Sequence, residues 1–298
     1  MTAIRKIGFI GVGNMGSPMA GHLVRAGFDV SVFDIRPEAA RAFVAQHGGC
    51  VAMSPAEVGE GADAIITMLP DGKVVQKAVL GDGVAAVLER GALVIDMGTC
   101  DPTDTRALHA ELAPRGIGVI DAPVMGGVVF AKDATLDIMV GGDAALVERA
   151  RPVLKALGRS VTHCGAVGSG HAMKALANYV NACALINAIE ALTIGKSFGL
   201  DPKMMADALL AMCSGRNHPI EKKVIPHILT RKFGTGMAMS FIAKDVKIAV
   251  DTAHALGAAV PLGEKVAELW AAATAELGGQ LDQTEIARYW EEATGVRL

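Results

Sequence analysis

The residues of this chain best suited to chemistry lie on an apolar helical stretch. Lys174 and Asn178 stand four apart in GSGHAMKALAN, Gly168 to Asn178, with Asn181 close to the same line, so a helix stacks them on one face. A lysine in apolar surroundings must find a partner or give up its proton, because burial disfavours the ammonium form. Such a group suits general acid and base work near neutral pH. The plainer alternative is a lysine that buries its stem and reaches solvent with its head. A second constellation opens the chain. The apolar run from Ile7 leads into Gly11-Val12-Gly13-Asn14-Met15-Gly16 and then a helical pattern to Ala26. Gly11 permits a tight turn, Gly13 lets the backbone approach a pyrophosphate, Gly16 lets helix pack on strand, and the helix N-terminus favours negative charge. Asp29 to Phe33 reads as the next strand, and Asp34 follows it, about 20 residues beyond the loop. A carboxylate there accepts from the adenosine ribose hydroxyls and repels a 2'-phosphate, which argues for NAD, with NADP the lesser alternative. Arg36, two residues on, offers a phosphate some purchase.

The elements that must position these groups follow from pattern. Between His171 and Ser197 only Gly195 interrupts the run; about 27 residues at ~1.5 Å each span roughly 40 Å, long enough to join two domains. Apolar on every side, it reads as a helix buried all round, over about residues 170–198. Before it, strands at Asp63 to Leu69, Ala92 to Met97, Ile117 to Ala122, Thr135 to Val140 and Ser160 to Cys164 alternate with helical segments. After it, Pro202 to Met212, Pro219 to Leu229, Phe241 to Leu256 and Pro261 to Leu277 carry helical spacing without a strand pattern, and the tail from Asp282 reads as a surface or interface helix. The fold class is therefore α/β: a Rossmann, doubly wound, mostly parallel sheet over residues 1–164, then an all-helical domain over 165–298, joined by the long helix. In such sheets ligands sit beyond the strand carboxyl ends, which directs the Leu69-Pro70 loop and the Thr99 loop to the cofactor. Asp101-Pro102 also reads as a helix N-cap with proline at the first position. Gly126-Gly127, after a strand, expose successive N–H groups to an anion or simply form a turn.

Composition excludes several classes. The chain has 298 residues, 51% of them hydrophobic, and a net charge of -3 from 28 basic and 31 acidic side chains without a like-charge run. Neither a nucleic acid nor a membrane surface is an expected partner. Five cysteines without a CxxC pair indicate neither a disulfide framework nor a metal site. The uncharged stretch around Ala175 to Ile189 is too short to span a bilayer, and a cytoplasmic location is expected.

The chain resembles the β-hydroxyacid dehydrogenase family, which includes 3-hydroxyisobutyrate dehydrogenase and tartronate semialdehyde reductase. The resemblance rests on IGFIGVGNMGSPMAGHLVRAGF at Ile7 to Phe28, DAPVMGGVVFAKDATLDIMVGG at Asp121 to Gly142, GSGHAMKALAN at Gly168 to Asn178 and AKDVKIA at Ala243 to Ala249. It implies that Lys174 is the catalytic lysine and Asn178 its partner near the substrate. It implies a cofactor role for Gly11, Gly13, Asn14, Met15, Gly16, Leu69, Pro70, Thr99 and Lys244. Met125, Gly126 and Gly127 fall in the segment that holds the substrate's acid group, and a homodimer or homotetramer is implied. Met125 stands where the family usually has serine, Phe130 where it usually has glycine, and Ala177 where asparagine is common. Phe130 is expected to narrow or reshape the pocket.

The resulting expectation is reversible, NAD-dependent oxidation of a small 3-hydroxy acid, 3-hydroxyisobutyrate-like, to its semialdehyde, bound between the two halves, with Lys174 as general acid and base. The alternatives are a physiological reductase of tartronate semialdehyde, succinic semialdehyde or sulfolactaldehyde, and a non-catalytic NAD-binding sensor. Arg216, Asn217 and His218 are candidates for holding an acidic group, and His171 for tuning Lys174.

Overall fold

Short apolar runs separated by capped helices build the first half of the protein. The computed structural model describes residues 3–197, 199–213, 218–255 and 261–298. Its strands are β1 (Lys6–Ile10), β2 (Asp29–Phe33), β3 (Cys50–Val51), β4 (Ala64–Thr67), β5 (Leu93–Asp96), β6 (Gly118–Asp121), β7 (Val124–Met125), β8 (Leu136–Gly141) and β9 (Gly158–Gly165). The helices between them are α1 (Gly16–Arg25), α2 (Pro37–His47), α3 (Pro55–Gly59), α4 (Gly72–Gln76), α5 (Val84–Val87), α6 (Pro102–Leu112), α7 (Gly127–Lys132) and α8 (Ala144–Lys155). Sequence starts these helices: Ser54, Asp71, Asp101 and Asp143 each accept an N–H of the first turn, and proline occupies the first turn of α2, α3 and α6. Two strands, β3 and β7, are only two residues long, too short to leave a periodic signal.

The sheet runs β3-β2-β1-β4-β5-β6-β8-β7, with β9 beside β8. From β3 through β6 all pairs are parallel; β8 turns antiparallel to β6 and β7. Both faces are covered, so alternate residues feed different cores. Phe9, Ile66, Ile95 and Ile120 pack on one face, and Ile10, Ile65, Val94 and Val119 on the other. Chain direction across the sheet reverses between β1 and β4, the crevice where doubly wound folds bind nucleotides. Register then matters for function. Ile10 pairs with Phe33 and with Thr67, Thr67 with Asp96, and Asp96 with Asp121. The carboxyl ends of five strands thus form one row.

The long helix is α9 (Ser169–Ser197), and α10 (Pro202–Cys213), a wide-turned helix at Ile220–Ile228, α11 (Met239–Ala255), α12 (Pro261–Leu277) and α13 (Ile286–Thr294) follow. Their core is helix on helix, with Trp270 fully buried among Leu185, Val224 and Val246. The chain forms two compact units, Met1–Lys174 and Ala175–Leu298. Sequence alone puts the division at residue 164; here the first turn of α9 belongs with the strands, because Asp121 at the end of β6 accepts the N–H groups of Gly168 and His171. In one respect α9 departs from expectation. It is not buried all round, since Met173, Leu176 and Val180 are exposed, Val180 by 62%. Among the described residues no helix is long and apolar enough to cross a membrane.

Candidate active site

The glycine loop follows β1 and closes tightly on itself. Gly11 has φ +95, and a Cβ there would come within 2.5 Å of the Met68 carbonyl oxygen; a Cβ on Gly16 would come within 1.8 Å of the Gly11 oxygen. Above Gly13 the nearest atom to such a Cβ is Arg36 Nη2 at 3.8 Å, so this face of the loop is open to a ligand. Asn14 and Met15 carry the turn into α1, whose first turn holds no acidic residue to oppose an anion. Asp34 is buried at the end of β2. Its two oxygens accept the N–H groups of Val12 (3.0 Å) and Arg36 (2.9 Å), so the carboxylate also fastens the loop to the second strand. A cleft of about 470 Å³ opens along Val12, Gly13, Asn14, Ser17 and Arg36. Arg25 and Lys132 line it further out. His47 lies there too; burial first, then the charges of Arg25 and His22, hold its pKa below the usual value. The cleft is basic, as a pyrophosphate requires.

Leu69 and Pro70 border the same row of strand ends. A Cβ on Gly11 would meet Leu69 Cδ2 at 3.1 Å, and one on Gly98, just before Thr99, would meet the Leu69 carbonyl at 2.7 Å. Both loops named from sequence therefore converge beside the glycine turn. Asp101 serves the capping role also read for it, accepting from Thr103 N–H at 2.8 Å.

Met125 ends β7, and Gly126 and Gly127 follow with φ +124 and +71. Lys174 is only 5% exposed, and its Nζ donates to the Met125 sulfur at 2.9 Å. Three predicted substrate residues and the predicted catalytic lysine are thus one cluster. Phe130 lies against the same turn. Its ring folds back on Gly126, where a Cβ would meet Phe130 Cβ at 2.6 Å, and the Arg159 guanidinium lies 5.9 Å from the ring centroid. It packs against the sheet core and braces the glycine turn.

In the helical unit, Asn178 and Asp245 are 5% and 2% exposed, and the Asn178 amide nitrogen donates to the Asp245 carboxylate. Lys244 Nζ lies 3.3 Å from the other Asp245 oxygen. Sequence reading missed Asp245, although it adjoins Lys244 inside AKDVKIA. Arg216 and Asn217 lie outside the described residues, and His218 Nδ1 accepts the Ile220 N–H at 3.2 Å.

Also missed was a polar cluster beneath the row of strand ends. Asp96 accepts from the Thr67 hydroxyl (2.9 Å) and the Gly98 N–H (3.1 Å), and His171 Nδ1 is bonded to Thr105 Oγ1 at 2.7 Å. The signal was available as an aspartate closing each of two apolar strands, LVID and GVID. Ligand-capable atoms of Asp96, Cys100 and His171 lie within 4.8 Å of one another, all buried, a grouping that the cysteine spacing gave no hint of.

Comparison with known proteins places these features. Residues 6–165 match the family described as the NAD binding domain of 6-phosphogluconate dehydrogenase, and residues 168–290 match the NAD-binding family of NADP-dependent 3-hydroxyisobutyrate dehydrogenase. The NAD-dependent L-serine dehydrogenase of Pseudomonas aeruginosa is 36% identical over 90% of this chain and 91% of its own. The 2-(hydroxymethyl)glutarate dehydrogenase of Eubacterium barkeri is 33% identical over 98% and 97%. Among solved structures, the Mycobacterium tuberculosis 3-hydroxyisobutyrate dehydrogenase with L-serine superposes with a TM-score of 0.87 at 35% identity, over 96% of this chain and 99% of that one. With the dinucleotide loop, the basic cleft and the buried lysine in place, the chain belongs to the β-hydroxyacid dehydrogenase family and is an NAD-dependent hydroxyacid dehydrogenase.

Proposed function

We propose that this enzyme reversibly oxidises a small 3-hydroxy acid of the 3-hydroxyisobutyrate type to its semialdehyde, with Lys174 as general base in oxidation and general acid in reduction. The observation that carries the reading is Lys174 itself, buried and in contact with Met125 at the head of the Gly126-Gly127 turn. The glycine loop binds the pyrophosphate through backbone N–H groups and the start of α1, and Asp34 selects NAD by accepting from the ribose hydroxyls. When bound, NAD supplies the hydride acceptor. Lys174 Nζ takes the hydroxyl proton as the carbon-bound hydrogen leaves with its electron pair, giving the aldehyde. Backbone N–H groups of Gly126 and Gly127 hold the acid group, because Met125 brings a thioether, a weak acceptor and no donor. Asn178, one helical turn beyond Lys174, orients the substrate. Lys244 serves the cofactor, and Asn178 and Lys244 share Asp245 as their anchor. The exposed stripe of Met173, Leu176 and Val180 supports assembly as a homodimer or homotetramer.

Initial rates of NADH formation test the reading across 3-hydroxyisobutyrate, 3-hydroxypropionate, glycerate, serine, threonate and dihydroxypropanesulfonate, with NAD and NADP. Turnover of one acid with NAD is expected, and Lys174→Ala is expected to lower kcat by about 10²- to 10⁴-fold without weakening NAD binding. Near wild-type turnover in that variant refutes the assignment.

A further inference from the structure

The first turn of α9 is anchored from beneath by groups that the proposed chemistry does not use. A helix start leaves N–H groups without intrahelical partners, and a local serine or aspartate usually accepts one of them. Here a carboxylate 47 and 50 residues away does so: one oxygen of Asp121 accepts from Gly168 (2.7 Å) and the other from His171 (2.8 Å). The approach is so close that a Cβ on Gly170 would lie 2.6 Å from the Met139 carbonyl oxygen and 2.9 Å from that of Asp121.

The His171 ring sits in this anchor fully buried. Thr105 Oγ1 is bonded to His171 Nδ1 at 2.7 Å and lies 3.3 Å from the Asp101 carbonyl, so the hydroxyl joins the imidazole to the start of α6. On the other side Nε2 has no hydrogen-bond partner and faces Asp96 Oδ2 at 3.8 Å. Asp96 is itself fixed by Thr67 and Gly98. A buried imidazole is unfavourable unless its nitrogens are engaged, so space filling alone would favour leucine or phenylalanine here. We infer that His171 is a positioning residue: its ring ties α6 to the first turn of α9, packed against the end of β5, and this fixes where the backbone delivers Lys174, three residues on. The inference rests on Lys174 being the proton-transfer group. A flexible lysine needs such a base, since a displacement near 1 Å at a reacting group can remove about 100-fold in rate.

The test compares His171→Ala, His171→Asn, Thr105→Val and Lys174→Ala in the full-length enzyme, measuring kcat, KM for acid and NAD, and thermal midpoint. His171→Ala is expected to lower kcat about 100-fold while KM for NAD stays unchanged. His171→Asn, whose amide can bond the Thr105 hydroxyl as donor or as acceptor, is expected to recover most of that loss. Thr105→Val is expected to lower kcat about tenfold, by analogy with loss of one buried hydrogen bond. Wild-type kcat in folded His171→Ala overturns the inference, and so does equal impairment of Ala and Asn variants in proportion to lost thermal stability. If His171→Ala does not fold, Thr105→Val decides: lower kcat at unchanged midpoint supports the inference, and wild-type kcat overturns it. Zinc or cobalt held stoichiometrically by the wild type and lost with His171 also overturns it, because the imidazole is then a metal ligand with Asp96 and Cys100. Turnover retained by Lys174→Ala overturns this inference together with the proposed function, whereas turnover lost only there overturns the positioning role alone.

Discussion

The two units place polar chemistry in opposite ways. In the strand unit it rests on backbone: the open face of Gly13, the tight turn at Gly11, and the strand ends aligned from Ile10 to Asp121 by register. Side chains such as Asp34 and Asp121 work there chiefly by accepting N–H groups. In the helical unit every backbone group along a helix interior is already paired, so chemistry falls to side chains, and Asn178, Lys244 and Asp245 form one linked group among apolar neighbours. A parallel sheet offers a ligand its loops and helix ends. A helical bundle offers only what its side chains can hold.

That contrast can be broken. The largest effect expected is the loss of turnover in Lys174→Ala, the last residue of the strand unit, read as kcat with NAD binding intact. Next, Gly11→Ala forces a side chain to φ +95 against the Met68 carbonyl. Backbone strain of about 1–3 kcal/mol there corresponds to roughly 5- to 150-fold weaker NAD binding. Calorimetric titration checks this, and unchanged affinity would mean that the loop is not specified by its backbone. Asp245→Ala probes the other regime. It leaves the Asn178 amide buried without its acceptor, which costs about 1–3 kcal/mol of stability, measured by urea denaturation. The smallest effect sharpens the role of one side chain in the backbone-built unit. Asp34→Ala is expected to shift the ratio of kcat/KM for NAD over NADP by about tenfold toward NADP, ~1.4 kcal/mol. An unchanged ratio would leave Asp34 only its structural bonds to Val12 and Arg36.

Much of this was legible in residue order, and particular elements show why. β2 runs over Asp29–Phe33 and α12 over Pro261–Leu277, as their patterns predict, because periodicity and a first-turn proline are local properties. The glycine loop was legible for the same reason, and so was the Asp101 cap, where acceptor and donor lie two residues apart. β3 and β7 were not, since two residues carry no period. The expectation that α9 is buried all round failed because an apolar stripe does not say what covers it.

The sequence by itself determined the alternation of strands and helices apart from the two-residue β3 and β7, the dinucleotide loop and the identity of the candidate lysine, all of which are carried by local pattern or motif. Only the tertiary structure decided which distant groups meet: Thr67 with Asp96 across 29 residues, Gly168 with Asp121 across 47, Lys174 with Met125 across 49, and Asn178 with Asp245 across 67. Those pairings depend on strand register and helix packing, which sum many weak contacts over the whole fold. No spacing along the chain encodes them, and that is why Asp96, Asp121 and Asp245 came to notice only once the chain was folded.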